Sequence, residues 1–371
     1  MKTRDALIEL NLIPGLGSAT IHRLLEAFDS PEAVFQAHPA LLKEILKQYA
    51  TSEVLQAIRQ ARDGAGAAPE INRVERAGAK IVTLVDDDYP ELLKTISDPP
   101  PVLYVKGILL KEDAAAVGLV GTRSASPYGI GMARQLASDL AQSGLTVVSG
   151  LAEGIDAAGH EGALEAGGRT IAVLGHGLSH TYPPQHRKLA ERIVESGALI
   201  SEFPMEMPPA AANFPRRNRV ISGLSLGVIV VEAPTKSGAL ITAREALEQG
   251  REVFAVPGPV SSVRSRGCHQ LLRDGARLVE DSRDVLEELA PALKEQLSGL
   301  KQHVVCSSTR LNLSREEHAV YEAIPVGEAT VVDSLVEATA LSPARVLPLL
   351  TTLELKGLIC QVPGQGYSRA S

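Results

Sequence analysis

The sequence predicts an α/β protein: a Rossmann-like, doubly wound parallel sheet flanked by a small helical N-terminal domain and a winged-helix-like C-terminal domain. Between residues 79 and 290, short runs of Val, Ile, Leu and Ala without polar alternation separate helical stretches, as in strands buried on both faces. Aromatic residues are only 3% of the 371-residue chain and Gly reaches 32, which disfavours an all-β sandwich. The flanking regions have the apolar spacing of helices.

The chain divides into four predicted segments. Residues 1–75 form a helical domain, interrupted by Pro14-Gly15-Leu16-Gly17 and by a short linker at residues 63–69, after which a last helix ends near Gly78. Residues 79–290 form the extended core, and residues 291–313, which are polar, are interpreted as a second linker. Residues 314–371 predict three helices and a hairpin, the first helix beginning with a capping box of Ser314 and Glu317.

Six apolar runs are the clearest core strands, at residues 117–120, 146–149, 170–174, 198–201, 228–231 and 252–256. Two further runs lie upstream, at residues 80–84 and 102–105, and we expect them to add an edge to the sheet.

Composition excludes several classes of protein. The formal charge of -7, from 37 basic and 44 acidic residues, argues against a wholly basic nucleic-acid coat protein. The three Cys are far apart and form no CxxC pair, so we expect neither a disulfide framework nor a zinc ribbon. The N-terminus resembles no secretory signal and no run approaches ~18 apolar residues, so we expect a cytoplasmic protein without membrane insertion.

The first predicted strand–helix turn is a candidate phosphate site, formed by Gly121, Thr122, Arg123 and Ser124. Glycine allows a tight turn, and the amides at the start of the next helix favour an anion. The two hydroxyls can donate hydrogen bonds, and Arg123 can add a bidentate contact. The alternative is an ordinary turn in which Ser126 caps the helix.

The second turn, at residues 149–156, has glycines like those of a dinucleotide site but lacks the GxGxxG spacing. Glu153 and Asp156 would repel a pyrophosphate, so no NAD or other cofactor is predicted. The alternative is that the glycines serve only the turn. Ser149 does not lie in a GxSxG elbow and is not interpreted as a nucleophile.

A basic segment follows at residues 213–219, with three Arg within four positions. Arg217, Asn218 and Arg219 suit phosphate oxygens, and Phe214 can stack on a base. Arg at a helix start opposes the helix dipole, so a role in stability explains the segment poorly. The alternative is a solvated helix start.

A further helix start is predicted downstream, where free amides would again favour an anion. Its candidate DNA-binding residues are Lys236, Ser237, Gly238, Thr242 and Arg244. The alternative is a plain N-cap by Ser237.

The loop at residues 176–188 contains His176, His180 and His186, whose spacing matches no metal-ligand motif, so no metal site is predicted. No catalytic set of residues can be assigned. Arg187, with Lys188, is predicted to extend the basic surface.

The N-terminal interruption at residues 12–21 has the pattern of a helix-hairpin-helix, whose glycine amides can contact a DNA phosphate. The alternative is a hairpin that only packs two helices, since few Lys or Arg flank it.

Taken together, ordered blocks along nearly the whole chain resemble the DNA processing protein A (DprA/Smf) family. These blocks are VGTRSASPYG, VVSGLAEGIDAAGHEGAL, TIAVLGHGL, ALISEFP, FPRRNRVISGLS, VEAPTKSGALITAREALEQGREVFAVPGP and SRGCHQLLRDGARLV.

The resemblance implies a non-enzymatic protein that binds single-stranded DNA, protects incoming strands and loads RecA recombinase onto them in natural transformation. It also implies a homodimer formed through the Rossmann core, with residues 265–279 as its surface, and a sterile-alpha-motif-like N-terminal domain. The family's DNA-contacting Arg would fall on Arg123, and its Arg-Asn-Arg block on Arg217, Asn218 and Arg219.

Two other functions are weighed against this one. A nucleotide phosphoribohydrolase would need a PGGxGTxxE loop near residues 234–244, but the paired Gly and the catalytic Glu are missing there. A winged-helix regulator of duplex DNA would use residues 342–356 as its recognition helix, and Arg345, Lys356 and Glu354 give that helix a thin basic face.

Overall fold

The structure is a computed structural model that describes residues 2–61, 66–306, 319–321, 323–324, 330–339, 341–343, 345–346, 349–350, 353, 359–362 and 366–369. The chain forms two compact units, Met1–Leu300 and Lys301–Ser371. The first unit holds both the N-terminal helices and the sheet.

Six helices form the N-terminal region: α1 (Thr3–Leu12), α2 (Ser18–Ala27), α3 (Pro31–Gln36), α4 (Pro39–Leu46), α5 (Ser52–Gln60) and α6 (Ala67–Arg76). Ser30 caps α3 by accepting a hydrogen bond from Ala33 N, with Pro31 in the first turn. Residues 62–65 of the first predicted linker lie outside the described residues, and α6 begins within its remaining part.

The sheet has nine strands in the described chain: β1 (Lys80–Thr83), β2 (Val102–Gly107), β3 (Ala116–Val120), β4 (Thr146–Ser149), β5 (Thr170–Leu174), β6 (Ala198–Ser201), β7 (Gly227–Val230), β8 (Glu252–Ala255) and β9 (Arg277–Leu278). Their order is β1-β2-β6-β5-β4-β3-β7-β8-β9. Strands β3 to β9 are parallel, whereas β1 and β2 pair antiparallel at one edge.

The six predicted core strands are confirmed to within one residue at each end. The sheet is mixed rather than wholly parallel because the upstream pair enters it antiparallel. Strand β9 was not predicted, since its two residues are exposed and lack the apolar run that marks a buried strand.

The core helices are α7 (Glu91–Lys94), α8 (Pro127–Gln142), α9 (Ile155–Glu165), α10 (Arg187–Ser196), α11 (Asn213–Gly223), α12 (Gly238–Glu248), α13 (Arg266–Arg273) and α14 (Ser282–Cys306). Ile221 of α11 shares one buried cluster with Val173 of β5, and Leu136 of α8 shares another with Val147 of β4. Helices therefore cover both faces of the sheet, and β3, β4 and β5 end side by side at its carboxyl edge.

Helix α14 includes most of the residues that were predicted to form the second linker. Residues 291–306 are helical, with Pro291 inside the helix, and residues 307–313 lie outside the described residues. Val285 and Leu289 are buried in the core, with Ala292 and Leu293 packed against it. These apolar residues recur at helical spacing and pack on the core, so the helix continues past residue 290, where the polar composition had predicted a linker.

The C-terminal unit has the predicted winged-helix architecture. Its described elements include α15 (Val332–Thr339) and the antiparallel hairpin of β10 (Ile359–Val362) and β11 (Gly366–Arg369). Thr330 forms a bridge with Tyr367, and a small apolar cluster lies between these elements. The predicted capping box of Ser314 and Glu317 lies outside the described residues.

The N-terminal helices are joined to the core through a buried polar cluster. Ser18, in the first turn of α2, donates to Glu202 Oε2 at 2.8 Å. Arg219 Nη2 donates to the same carboxylate oxygen at 2.6 Å and to Ser18 Oγ at 2.9 Å. Arg219 also donates to the carbonyl oxygen of Asp98 at 2.6 Å. The start of α2 thus packs against the core.

Replacing Arg219 with Met is expected to lower the free energy of unfolding by about 3–5 kcal/mol, because Glu202 would stay buried without its charge partner. Urea unfolding followed by circular dichroism measures the change. Arg216→Met is the matched control: Arg216 Nη2 lies 3.9 Å from Glu202 Oε2 and its side chain is 46% exposed. The control substitution should lower the free energy of unfolding by about 0–1 kcal/mol. Equal stabilities of the two variants would contradict the account.

Candidate nucleic-acid interface

A cleft opens at the carboxyl edge of the sheet, above the ends of β3, β4 and β5. It is small and open to solvent, and it is lined by Arg123, Gly150, Ala152, Glu153, Tyr182, Pro183 and Phe214. We call it the carboxyl-edge cleft. Ligands of doubly wound folds bind at this edge because the turns and helix starts meet there.

Arg123 provides an exposed positive charge in the carboxyl-edge cleft. Its guanidinium carbon lies 5.1 Å from the centroid of the Phe214 ring, in a cation–π arrangement. Its side chain makes no hydrogen bond or ion pair with the described residues. A guanidinium that the protein leaves free has all its donors available for an anionic ligand.

The helix start beside Arg123 is already occupied. The Glu232 carboxylate accepts hydrogen bonds from Ser126 N at 2.8 Å and from Ser126 Oγ at 2.6 Å, at the first turn of α8. A buried carboxylate therefore satisfies this positive helix end from within the protein. The Glu232 carboxylate thus lies where we expected a ligand anion, and anion binding at this helix start stays a prediction.

The rest of the first turn is also held by protein atoms. Thr122 is buried, its amide donates to the Glu232 carbonyl at 2.7 Å, and its Oγ1 accepts from Ser124 N at 3.3 Å. Gly121 is in close contact with Ile155, and a side chain at position 121 would clash. Ser124 is exposed, and its carbonyl accepts from Arg264 Nε at 2.6 Å. Of the predicted turn residues, Arg123 is the one that lines the cleft.

Arg217 lies beneath the carboxyl-edge cleft rather than on its surface. Only 4% of it is exposed, and its Nη1 donates to the Val173 carbonyl at 2.6 Å. Its guanidinium occupies the space that a side chain at Gly150 would need. Burial lowers the pKa of Arg217 to about 10, an effect that the nearby Asp156 carboxylate opposes. Arg217 therefore stays charged at neutral pH and adds positive potential below the cleft.

Asp156 faces this buried cation from the start of α9. Its Oδ2 accepts hydrogen bonds from Gly150 N at 3.1 Å and Ala152 N at 3.4 Å. Burial raises the pKa of the Asp156 carboxyl, while Arg217 and Arg123 lower it. Because it accepts these two hydrogen bonds, the carboxylate fixes the backbone of the second turn, which forms the floor of the cleft.

Two aromatic rings form one wall. Phe214, in the first turn of α11, and Tyr182 have centroids 5.8 Å apart and are tilted by 40°. Tyr182 is 40% exposed. Phe214 was predicted to stack on a base; Tyr182 was not, because its place in a loop just before two prolines carries no periodic signal. Together they present a ring surface beside Arg123.

The remainder of the predicted Arg-Asn-Arg block points away from the cleft. Arg219 is buried and bonds to Ser18, Asp98 and Glu202, as described above. Asn218 is buried, and its Nδ2 donates to the Gly238 carbonyl at 3.3 Å. In this structure both side chains are hydrogen-bonded to protein atoms, and their role as direct DNA contacts stays a prediction.

Helix α12 begins at a plain N-cap. Ser237 Oγ accepts from Ala239 N at 3.3 Å, which is the alternative interpretation of this segment. Thr242 is 1% exposed, so its predicted DNA contact would require this part of the protein to open. Lys236, Gly238 and Arg244 are exposed but do not line the cleft.

The histidine loop is tied to the fold by backbone contacts. His186 Nδ1 lies 2.9 Å from the Leu151 carbonyl, and His180 Nε2 lies 3.2 Å from the Glu206 carbonyl. Burial lowers the pKa of His176. Within the described residues, no group of three or more His, Cys, Asp or Glu side chains is placed to hold a metal ion. Arg187 lies at the start of α10, outside the cleft lining, and pairs with Glu191 at 3.2 Å.

Two family models match the chain. One, described as DNA recombination-mediator protein A, matches residues 80–290, and the DprA winged helix domain matches residues 308–365. A Synechocystis protein named Smf is 36% identical over 385 residues, covering 96% of each chain. An Escherichia coli protein named Smf is 41% identical over 297 residues, covering 80% of this chain and 79% of that protein.

Solved structures show the same likeness. DNA processing protein A of Streptococcus pneumoniae aligns with a TM-score of 0.66 and 36% identity, over 76% of this chain and 97% of that one. The Helicobacter pylori protein aligns with a TM-score of 0.52 and 30% identity, over 57% of this chain and 97% of that one. The Helicobacter pylori work describes a single-stranded DNA binding mode of that protein. In this chain, none of the described helices is long and apolar enough to cross a membrane.

Gly150→Ala is expected to destabilise the protein by about 1–3 kcal/mol, because the added methyl group would overlap the Arg217 guanidinium and force it to move. Thermal unfolding measures the change. Gly131→Ala in α8 is the matched control, since nothing lies within 4 Å of the methyl group it would add. That substitution should stabilise the helix by up to about 1 kcal/mol. A Gly150→Ala variant as stable as the wild type would show that Arg217 is not fixed as described.

Proposed function

The chain belongs to the DNA recombination-mediator protein A family, and from this premise we propose that it binds single-stranded DNA in the carboxyl-edge cleft. The observation that carries the proposal is the free Arg123 guanidinium beside the Phe214 ring. A cation for the backbone next to a ring for a base is the combination that sequence-tolerant single-strand binding requires.

The geometry favours a single strand over a duplex. The bases of a single strand are unpaired and can turn their faces onto Phe214 and Tyr182, whereas duplex bases are stacked inside the helix. The ring wall and Arg123 lie in one small, open cleft. A cleft of this size accommodates a short stretch of strand, so the rest of the strand would lie across the neighbouring surface.

Electrostatics fits the same proposal. The chain has a formal charge of -7, so long-range attraction to DNA is weak. The grip would come from local charges, with Arg123 touching a phosphate and Arg217 adding potential from below. Affinity would then fall with salt, by a slope of about 0.7 for each phosphate contact on a single strand.

The work on the Helicobacter pylori protein, which concerns its binding of single-stranded DNA, supports this function. We further propose that the chain acts by binding rather than catalysis, in the cytoplasm, and that it protects incoming strands and loads RecA recombinase onto them in natural transformation. Names that refer to DNA processing among the relatives support this setting.

We also propose that the protein acts as a homodimer through residues 265–279. Within the described sheet, β9 is the last strand and pairs on one side with β8, and its Leu278 is 49% exposed. An uncovered edge strand with an exposed apolar residue suits a second copy of the same surface. A dimer would hold two strand segments at high effective concentration.

Arg123→Ala is expected to weaken binding of a single-stranded oligonucleotide by about tenfold and to reduce the salt slope by about 0.7, because one phosphate contact is lost. Fluorescence anisotropy across a salt series measures both. Arg192→Ala is the matched control, since it removes the same charge from an exposed position on α10 that does not line the cleft. If the two variants lose the same affinity, the cleft is not the binding site.

Phe214→Ala should weaken binding by about 1–3 kcal/mol through lost stacking, with an unchanged salt slope because no charge is removed. The same anisotropy series tests this. A change of slope as large as that of Arg123→Ala would mean that the ring acts by positioning the cation and not by stacking.

A further inference from the structure

Glu153 is the acidic side chain that lines the carboxyl-edge cleft in the described part of the chain. It is exposed, in the turn after β4, and its Oε1 accepts a hydrogen bond from Gln185 Nε2. Gln185 belongs to the loop that carries Tyr182 and Pro183, both of which line the same cleft. The hydrogen bond therefore holds the carboxylate close to the ring wall.

Among the described residues, this carboxylate makes no further hydrogen bond or ion pair. It forms no ion pair with Arg123 among the described residues, although both line the cleft. It does not cap α9, whose N-cap Gly154 lacks a side-chain hydrogen bond. The neighbouring amides of Gly150 and Ala152 donate to Asp156 instead. Its Oε2 makes no hydrogen bond within the described residues, and the side chain lines the cleft.

A fixed negative charge repels phosphate, so Glu153 requires a different part of the ligand. The cleft presents three kinds of group: a guanidinium, ring faces and a carboxylate. A nucleotide of a single strand also presents three: a phosphate, the face of its base and the edge of its base. Arg123 matches the phosphate and the rings match the face, which leaves the base edge for Glu153.

We propose that Glu153 reads the edge of a base stacked on the Phe214–Tyr182 wall and favours bases whose edge carries an amino group. The inference rests on the proposed single-strand binding and adds a base preference to it. Glu153 is thus a specificity-determining residue in a cleft that otherwise tolerates any sequence.

The preference follows from hydrogen-bonding chemistry. An ionised carboxylate only accepts hydrogen bonds. The N4 amino group of cytosine donates to carboxylates, and adenine and guanine also carry amino groups. Thymine and uracil carry a carbonyl oxygen at the position of the cytosine amino group, so their lone pairs would face the carboxylate. A strand with amino-bearing bases at the cleft should therefore be held more tightly.

Oligo-deoxycytidine and oligo-deoxyuridine of equal length test this inference, because neither base carries the thymine methyl group. Their affinities are compared by anisotropy at one salt concentration. The wild type should bind the cytosine strand about three- to tenfold more tightly, the range of one typical net hydrogen bond. In Glu153→Gln the ratio should fall to about 1, since an amide both donates and accepts.

Glu195→Gln is the matched control, because it removes the same charge from an exposed position on α10. It should leave the cytosine-to-uracil ratio unchanged, while either variant can gain overall affinity from the lost repulsion. Gln185→Ala keeps the charge but frees the carboxylate, and its ratio should fall between those of the wild type and Glu153→Gln. This second variant tests the inference even if Glu153→Gln folds poorly.

Two failures can be told apart. Measurable binding with equal affinities for the two strands in the wild type would overturn the base preference and leave the single-strand function intact. A ratio that is unchanged in Glu153→Gln would likewise overturn it. Failure of the wild type to bind either strand would overturn the proposed function and, with it, this inference.

Discussion

The buried guanidinium of Arg217 is the constraint on which the carboxyl-edge cleft depends. It bonds to the end of β5 through the Val173 carbonyl, occupies the space left by Gly150 in the turn after β4, and lies 6.0 Å from the Phe214 ring. One cation thereby fixes the distances between two strand ends and helix α11. Such burial of a charge is unfavourable unless nearby groups compensate it, which explains the Asp156 carboxylate in the adjacent turn.

Much of the fold could be predicted because its signals are local. Buried parallel strands are continuous apolar runs, so their bounds were found to within one residue. Arg123 and Phe214 could also be placed at the carboxyl edge from the sequence, since Arg123 lies in the turn after β3 and Phe214 in the first turn of α11. Arg219 and Asn218 could not, because the partners that turn them inward, such as Asp98 and Gly238, are set by the tertiary fold. Glu232 could not be predicted as the partner of the α8 start either, because it follows β7 and lies far from Ser126 in the sequence.

The acidic total of the chain and a DNA-binding cleft are compatible because charge acts at two ranges. The formal charge of -7 governs solubility and approach, while contact depends on the few groups in the cleft. Glu153 adds a preference to this binding, because a negative group beside Arg123 restricts which part of a strand can lie there. Phosphate binding, base stacking and the choice of base are thus assigned to different side chains of one small cleft.

A tryptophan introduced in place of Phe214 tests the central claim most directly. The natural chain has no Trp, so Phe214→Trp would be the single indole reporter. Stacking of a base on this ring should change its emission as single-stranded DNA is added, in a saturable titration that salt reverses. A Tyr49→Trp variant, in the N-terminal helices, should not respond. If the labelled strand binds to the Phe214→Trp variant by anisotropy while the indole emission stays constant, the strand does not occupy the carboxyl-edge cleft and the account is contradicted.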